Sequence, residues 1–440
     1  MDILVIVLQV LLSLSILVIT HEGGHFFFAK LFRTRVEKFY LFFDPWFSLF
    51  KFKKGETEYG IGWIPLGGYV KIAGMIDESM DTEQMKQPEQ PWEFRAKPAW
   101  QRLFIMLGGI IVNLISAPII FWMTLYTWGE TYLPINQAPF GLQFDQTMID
   151  AGFRDGDLIV GVNGDSIETY KEVANPILFS DTCIINIVRD GENINIQMPH
   201  EFYRQVLANN VSPLFSVRIP VVIDSIAPNE GAALAGLNKG DRITAVDGNS
   251  IFTLTDLVAQ LDGKADTTIN FTVLRANGEP DTLAIGINSD GKIGISTLSP
   301  KNWIKLKHKD YGFFAALPAG ISKGYDLLCN YIKQLPMLFT KEGATKVGGF
   351  GTIGKLFPTI WDWESFWFNT AFLAIMLAVM NALPIPALDG GHVLFLLFEI
   401  ITGRKASDKV LETAQTIGMI LLLALMLYAN GADIFRAIFD

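Results

Sequence analysis

The sequence predicts a polytopic α-helical membrane protein with four transmembrane helices, two small external α+β domains and a cytoplasmic-side β-hairpin element. Three observations support this fold class. Half of the 440 residues are hydrophobic and only 18% are charged, whereas about 25% of residues are charged in a typical soluble chain. The hydrophobic residues are concentrated in four uncharged stretches. A polar segment between the second and third stretches contains an internal repeat.

Each hydrophobic stretch is long enough to cross, or nearly cross, a bilayer. A helix rises about 1.5 Å per residue, so about 18 or more residues approach the hydrocarbon thickness of about 30 Å. The first stretch lacks the basic start and small-residue cleavage site of a signal peptide, so we expect a retained helix. The four predicted spans are residues 3–20, 103–128, 365–388 and 413–432.

The distribution of basic residues predicts the orientation of the chain. Seven lysines and arginines lie between residues 30 and 54, three more lie between 404 and 409, and none lies in 129–153. Cytoplasmic loops are enriched in Lys and Arg, so residues 30–100 and 403–411 are predicted to be cytoplasmic. Both termini and the segment from 129 to about 360 are then external.

Charge and cysteine content exclude several classes of protein. The net charge is −10, which argues against a nucleic-acid partner because there is no basic excess to neutralise phosphates. Cys183 and Cys329 are the only cysteines, which excludes a disulfide framework and a cysteine-rich zinc site. The expected surroundings are instead the lipid bilayer.

The polar segment repeats itself at an offset of 84 residues. Residues 151–167 align without gaps to residues 235–251, and nine of the 17 positions are identical. Asn163-Gly164 and Asp247-Gly248 are strong signals for tight hairpin turns. Helix-like stretches follow each hairpin at residues 170–178 and 254–261.

The repeated pattern resembles PDZ domains, in particular those of bacterial envelope proteases, and predicts one domain at 129–205 and a second at 206–300. PDZ domains bind extended peptides by strand addition. Two small domains that act as spacers or as a size filter are the alternative. Residues 301–360 are predicted to be an amphipathic segment on the external membrane surface or a linker with one packed helix, and both remain open.

The first hydrophobic stretch leads directly into His21-Glu22-Gly23-Gly24-His25. Residues at i and i+4 share one helix face, so both imidazoles can reach one metal ion. Glu22 lies about 100° around the helix and can contact a metal-bound water. This is the spacing of zinc hydrolases. Ionisable groups in a membrane helix are functional by default, although an interfacial cluster facing water is the alternative.

A catalytic zinc also needs a third protein ligand and one open position. The third hydrophobic stretch ends near Asp389 and His392, after two prolines that break the helix, Pro384 and Pro386. Broken backbone at membrane depth is tolerated only inside protein or beside a watery cavity. Asp389 is favoured as the third ligand because its carboxylate is otherwise uncompensated, and His392 is the competing candidate.

Together, His21-Glu22-x-x-His25 and Asn381-x-x-Pro384-x-Pro386-x-Leu388-Asp389-Gly390 resemble the motifs of the site-2 protease family of intramembrane zinc metalloproteases. The resemblance spans essentially the whole chain. It implies that His21, His25 and Asp389 bind Zn²⁺, that Glu22 is the general base and that Asn381 contacts the substrate backbone.

The same resemblance implies a bacterial cytoplasmic (inner) membrane enzyme. Its implied substrates are single-pass transmembrane proteins, such as an anti-sigma factor, and remnant signal peptides. One departure is visible: family members often carry Gly-Pro-x-x-Asn in the second helix, whereas this chain has Gly109-Ile110-x-x-Asn113. The departure concerns the local helix shape rather than the chemistry.

Residues 59–71 are apolar, β-rich and interrupted by glycines. We predict a hairpin or loop at the membrane face whose free edge pairs with an unwound substrate. Related proteases are thought to use a membrane-reentrant β element here. The alternative is a cytoplasmic hairpin that only packs against the helices. The predicted substrate-binding residues are Ile61, Gly62, Trp63 and Ile64.

Two other functions remain open. A membrane zinc transporter or sensor is one, but transporters usually contain inverted repeats, and no membrane repeat is evident. A PDZ scaffold with a degenerate metal site is the other, and the intact set of His21, Glu22, His25 and Asp389 argues against it.

Overall fold

The computed structural model describes residues 2–75, 87–180, 182–209, 211, 213–299, 302–340, 348–405 and 407–439. The chain divides into two compact units. The membrane unit comprises Met1–Glu130 and Asp310–Asp440, and the polar unit comprises Thr131–Lys309.

Within these residues the helices, in chain order, are α1 (Asp2–Leu31), α2 (Ala99–Trp128), α3 (Gln146–Asp150), α4 (Tyr170–Phe179), α5 (Phe202–Ala208), α6 (Gly231–Leu234), α7 (Leu254–Leu261), α8 (Phe313–Gln334), α9 (Phe350–Gly354), α10 (Trp363–Ala382), α11 (Asp389–Thr402) and α12 (Asp408–Phe439).

The strands, in the same order, are β1 (Val36–Phe43), β2 (Phe50–Lys54), β3 (Thr57–Ile61), β4 (Ile64–Ile72), β5 (Glu130–Tyr132), β6 (Leu142–Phe144), β7 (Leu158–Val162), β8 (Asp165–Ser166), β9 (Ile184–Arg189), β10 (Glu192–Gln197), β11 (Phe215–Val217), β12 (Ile223–Ile226), β13 (Arg242–Val246), β14 (Asn249–Ser250), β15 (Thr268–Leu274), β16 (Pro280–Gly286), β17 (Ile295–Thr297) and β18 (Lys307–Lys309).

Four helices in the described part of the chain are long and apolar enough to cross a membrane, as predicted. The first continues to Leu31, beyond the uncharged stretch that ends at residue 20 and close to residue 30, where the transmembrane helix with the His-Glu-x-x-His motif is predicted to end. His21 and His25 therefore lie inside the helix rather than at its end. Hydropathy alone missed this because the polar and glycine residues at 21–25 interrupt an apolar run that Phe26 resumes. The four spans are Ile3–Leu31, Ala99–Trp128, Trp363–Ala382 and Lys409–Arg436.

The third predicted span, residues 365–388, and the transmembrane segment of 361–402 predicted around it contain two helices, α10 and α11, with the break at the two prolines as the sequence predicts. Helix α10 ends at Ala382, Leu383 is extended, and α11 begins at Asp389. Pro384 and Pro386 explain the break, because proline has no N–H to donate and disfavours helical geometry in the residue before it. Ala387 has a φ of 77°, which completes the turn into α11.

Polar and small side chains join the membrane helices closely. Thr370 Oγ1 of α10 donates to Ser13 Oγ of α1 at 2.9 Å, and both residues are fully buried. Gly320 of α8 lies against the backbone of Trp122 in α2, so a Cβ there would lie 2.5 Å from a backbone nitrogen. The predicted segment 301–360 thus contains a helix packed on α2. Residues 341–347 of that segment lie outside the described residues.

A four-stranded mixed sheet follows α1, in the order β2-β3-β1-β4. The predicted hairpin across 59–71 is wrong, because β1 lies between β3 and β4, parallel to β3 and antiparallel to β4. Strand β4 forms one edge of the sheet and passes α1 closely. A Cβ on Gly68 would lie 2.6 Å from the Val18 side chain, so only glycine allows this approach.

The sequence repeat of the polar unit corresponds to a repeated order of elements. Each copy runs strand, helix, two strands, helix and two strands, beginning at β6 or β12, and ends in one further strand. In the first copy α5 precedes that last strand, β11, whereas in the second copy β17 follows β16 with no helix between them. The predicted hairpins are confirmed as β7-β8 and β13-β14, and both residues of Asn163-Gly164 and Asp247-Gly248 have positive φ. The boundary predicted between residues 205 and 206 falls inside α5, and β11 still pairs with β6 of the first copy.

Candidate metal centre

Helix α1 brings two buried imidazoles onto one face. His21 and His25 have relative exposures of 8% and 7%. Their ring centroids are 4.9 Å apart with an interplanar angle of 82°, and their Nε2 atoms are 3.3 Å apart. Such close approach of two ring nitrogens is favourable when a cation lies between them, because neutral imidazole presents a lone pair at the metal-binding nitrogen.

The break between α10 and α11 delivers a carboxylate to the same place. Asp389 Oδ2 lies 3.2 Å from His21 Nε2 and 3.3 Å from His25 Nε2. Glycines after Asp389 allow this turn, since a Cβ on Gly390 would lie 2.1 Å from the Leu383 carbonyl oxygen. Asp389 therefore meets His21 and His25, which precede it by more than 360 positions in the sequence.

The three donor atoms have the spacing that a zinc ion requires. Ligand atoms about 2.0–2.1 Å from a tetrahedral ion lie about 3.3 Å from one another, and the observed separations are 3.2, 3.3 and 3.3 Å. Asp389 Oδ2 is buried and has no hydrogen-bond partner among the described residues. A buried polar atom without a hydrogen bond is costly, so the donor set fits a divalent cation.

Groups of α2 contact the Nδ1 atoms of both imidazoles and orient the rings. His25 Nδ1 lies 2.8 Å from the Ile105 carbonyl oxygen, which fixes the proton on Nδ1 and leaves Nε2 available. The fully buried Asn113 side chain lies 3.3 Å from His21 Nδ1 and 3.2 Å from Thr20 Oγ1. With a metal on Nε2 of His21, the Asn113 amide oxygen must face Nδ1–H and its nitrogen must face Thr20.

The sequence interpretation noted Asn113 only for helix shape and missed this contact. A polar amide inside an uncharged membrane stretch was the available signal.

Glu22 lies beside the imidazole pair and contacts the sheet edge. A Cβ on Gly68 of β4 would lie 3.6 Å from Glu22 Cγ. Among the described residues, the group with metal-ligating geometry contains His21, His25 and Asp389 but not Glu22. Glu22 is therefore close to the centre without belonging to the donor set, as a base acting on a bound water requires.

Asn381 also reaches the centre, whereas His392 does not join the donor set. Asn381 Nδ2 lies 3.2 Å from His21 Nε2. His392 lines the same cavity but is outside the metal-ligating group found among the described residues. Of the two candidates left open for the third ligand, Asp389 is the one that lies near the imidazoles.

A cavity of about 480 Å³ opens onto the centre. Its walls include residues 68–72 of β4 and Phe43 from the end of β1. The predicted substrate residues Ile61, Gly62, Trp63 and Ile64 are not among the described residues that line this cavity. Ile61 ends β3, Gly62 and Trp63 connect the strands, and Ile64 begins β4.

Helices α1 and α2 meet through glycine backbones at the level of the centre. A Cβ on Gly24 would lie 2.2 Å from the Gly108 carbonyl oxygen, and a Cβ on Gly109 would lie 2.5 Å from the His21 ring. A Cβ on Gly23 would meet no described atom within 4 Å. The two glycines between the histidines therefore have different roles.

Replacing Gly24 with alanine is expected to destabilise the protein by about 1–3 kcal/mol and to weaken metal binding, because the backbone of His25 must move with it. Gly23→Ala, the matched control, removes a flexible helical glycine and is expected to retain both stability and metal. Thermal unfolding and metal content of the two purified variants measure the difference. Equal behaviour of both variants would contradict the packing account.

Comparisons with known proteins find similarity along nearly the whole chain. A sequence model described as "Peptidase family M50" matches residues 9–425. A putative zinc metalloprotease of Vibrio cholerae is 27% identical, with 99% of each chain covered. One from Borreliella burgdorferi is 27% identical over 96% of this chain and 95% of its own. The regulator of sigma-E protease RseP of Escherichia coli is 27% identical, with 97% of each chain covered.

Proposed function

This chain belongs to peptidase family M50, and we propose that it is a zinc metalloendopeptidase that hydrolyses peptide bonds within the transmembrane segments of single-pass membrane proteins. One observation carries the proposal. Two imidazole nitrogens and a carboxylate oxygen, from helices distant in sequence, lie 3.2–3.3 Å from one another within the membrane unit. The names of the relatives from Vibrio cholerae and Borreliella burgdorferi support zinc as the ion.

His21, His25 and Asp389 would hold the ion and leave one position for water or substrate. A zinc ion held by these residues would supply a Lewis acid that lowers the pKa of a bound water molecule to about 7 and polarises the scissile carbonyl. Glu22 then accepts the proton of the attacking water on a carboxylate oxygen and delivers it to the nitrogen of the leaving amine. Glu22 is therefore required to transfer the proton, and it is not required to bind the metal.

Substrate would bind in extended form along the free edge of β4. A membrane helix hides its peptide carbonyls, and pairing with a strand edge keeps an unwound segment open. The position of Gly68 to Ile72 on the cavity wall supports this edge, with Ile61–Ile64 contributing at the start of the strand and Asn381 donating to the substrate backbone. Proline replacement of Ile61 or Ile64 should stop cleavage while zinc is retained. Full activity of these variants would contradict substrate binding along this edge.

The polar unit would act as an external filter made of two PDZ-like domains. The sequence repeat and the shared order of the first seven elements support two similar domains, which would exclude bulky external substrate domains and admit trimmed substrates. Deleting residues 135–300 should allow cleavage of untrimmed substrates, and unchanged selectivity would count against filtering.

The distribution of basic residues and the relative from E. coli support a multi-pass protein of the bacterial inner membrane, with the polar unit on the extracytoplasmic side. The name of that relative contains "regulator of sigma-E protease". We therefore extend the substrate class to anti-sigma-factor-like proteins, and to remnant signal peptides, in regulated intramembrane proteolysis.

Metal removal tests the proposed function. We expect the purified full chain, reconstituted in lipid vesicles, to cleave a single-span membrane peptide, to lose this activity on chelation and to regain it with one equivalent of Zn²⁺. Addition of Mg²⁺ alone is the control, because it prefers oxygen ligands in octahedral geometry. Zinc binding without cleavage would favour a transporter or sensor, and no zinc binding would favour a scaffold.

A further inference from the structure

A second buried charged group lies away from the metal centre and has no role in the mechanism above. Arg102 of α2 contacts Glu399 of α11, with Nη2 2.5 Å from Oε1. The relative exposures of the two side chains are 9% and 15%. Arg102 Nε also donates to the Lys97 carbonyl oxygen at 2.9 Å, which anchors the guanidinium to the start of α2.

Helix α11 has few other attachments along its second half. Gly390 and Gly391 are buried beside the metal centre, and Leu396 packs in an apolar cluster with Ile105 and Met106 of α2. The remaining side chains of that half are mostly apolar and exposed, and a membrane would surround them with lipid. These exposed side chains are Leu394, Leu397, Phe398, Ile400 and Ile401.

Energetics favour a positioning role for the ion pair over a stabilising one. Charged groups that are removed from water are costly. A buried pair is often no more stable than an apolar pair of similar volume, whereas removing one partner costs about 3–5 kcal/mol. The remaining benefit of such a pair is that it specifies one geometry.

We propose that the Arg102–Glu399 ion pair positions Asp389 for metal binding. Asp389 begins α11 and Glu399 lies ten residues later, about 15 Å along the same rigid helix. Holding Glu399 in place therefore holds the axis of α11 and restricts the position of Asp389 at the start of the helix.

Helix α2 is the common frame of the centre, because it orients His25 through Ile105 and His21 through Asn113. With Arg102 it also holds the helix that supplies the third donor. The inference rests on the proposed zinc site, and it adds a residue pair that contacts neither metal nor substrate.

Two double variants test this role. Arg102→Met with Glu399→Leu removes both charges, and it is expected to stay folded while binding zinc about 10-fold more weakly, a change of about 1.4 kcal/mol. Arg102→Glu with Glu399→Arg restores an ion pair and is expected to bind zinc within about threefold of the parent. Zinc affinity is measured by competition with a chromogenic chelator, and folding by thermal unfolding.

Arg95→Met with Glu93→Leu is the matched control, because this second buried ion pair lies before α2, outside both helices, and Arg95 lines the same cavity of about 290 Å³ as Arg102. It should bind zinc as the parent does. Parental zinc affinity in the apolar double variant would overturn the inference. Absence of zinc in the parent would instead overturn the proposed function, so the two failures are distinguishable.

Discussion

Glu22→Gln is expected to reduce peptide-bond hydrolysis by about 10²–10⁴-fold while zinc content stays at the parental value. The glutamine side chain keeps the size of the carboxylate but cannot accept the proton of the attacking water. Glu22 lies outside the donor set of His21, His25 and Asp389, so the ion should remain. The measurement is the rate of cleavage of a membrane-helix peptide, with metal analysis of the same sample.

Glu56→Gln is a suitable control for that experiment. Glu56 is a half-exposed carboxylate paired with Lys30 beyond the imidazole pair on α1, and exposed pairs contribute at most about 1 kcal/mol. Its replacement should leave cleavage unchanged. Near-parental activity of the Glu22 variant would mean that another group carries the proton.

Asp389→Asn is expected to abolish cleavage and to lower zinc content to a small fraction of the parental value. The amide keeps the shape of the side chain but removes the negative charge that compensates the ion. Without it, two neutral imidazoles remain as strong donors, which is one fewer than catalytic zinc sites use. Metal analysis after dialysis and the cleavage rate are the measurements.

His392→Gln distinguishes this prediction from general damage to α11. His392 lies three residues after Asp389 and lines the same cavity, but it is outside the donor set among the described residues. The variant should keep its zinc. Loss of zinc from the His392 variant together with retention in the Asp389 variant would exchange the assignments of these two residues.

The membrane helices were predictable because each apolar run exceeds the length needed to cross a bilayer. Their ends were less predictable. His21 to His25 lower the local hydropathy, yet i→i−4 backbone bonding continues through them to Leu31. At Ala382 the prediction of a break succeeded because Pro384 and Pro386 act locally, through missing donors and steric restriction.

The sheet after α1 was mispredicted because its pairing is non-local. Adjacent β-rich segments suggest a hairpin, but β1 inserts between β3 and β4. Strand β2, Phe50–Lys54, alternates phenylalanine and lysine over its first four residues, yet all five of its residues are exposed. Its alternation identifies a strand but does not show which strand it pairs with. Only the three-dimensional register shows that β4, rather than a hairpin tip, borders the cavity.

The meeting of Asp389 with the imidazole pair was predicted from motif and chemistry, since an unpaired carboxylate at membrane depth needs a partner. For the support from α2, the sequence signals only that Asn113 is a polar amide inside an uncharged membrane stretch, and it does not show what that amide contacts. The contacts of Asn113 and Arg102 depend on the close crossing of α1 and α2 through Gly24 and Gly108, and on the direction in which α11 leaves the broken segment. Neither the crossing of α1 and α2 nor the direction of α11 has a local sequence signal.

X-ray absorption spectroscopy at the zinc edge of the purified full chain tests the central claim most directly. The account predicts one zinc per chain, bound by two imidazole nitrogens and one carboxylate oxygen at about 2.0–2.2 Å, with the remaining position filled by a light atom. Zinc bound through a different donor set, or an unchanged spectrum in the Asp389→Asn variant, would contradict it.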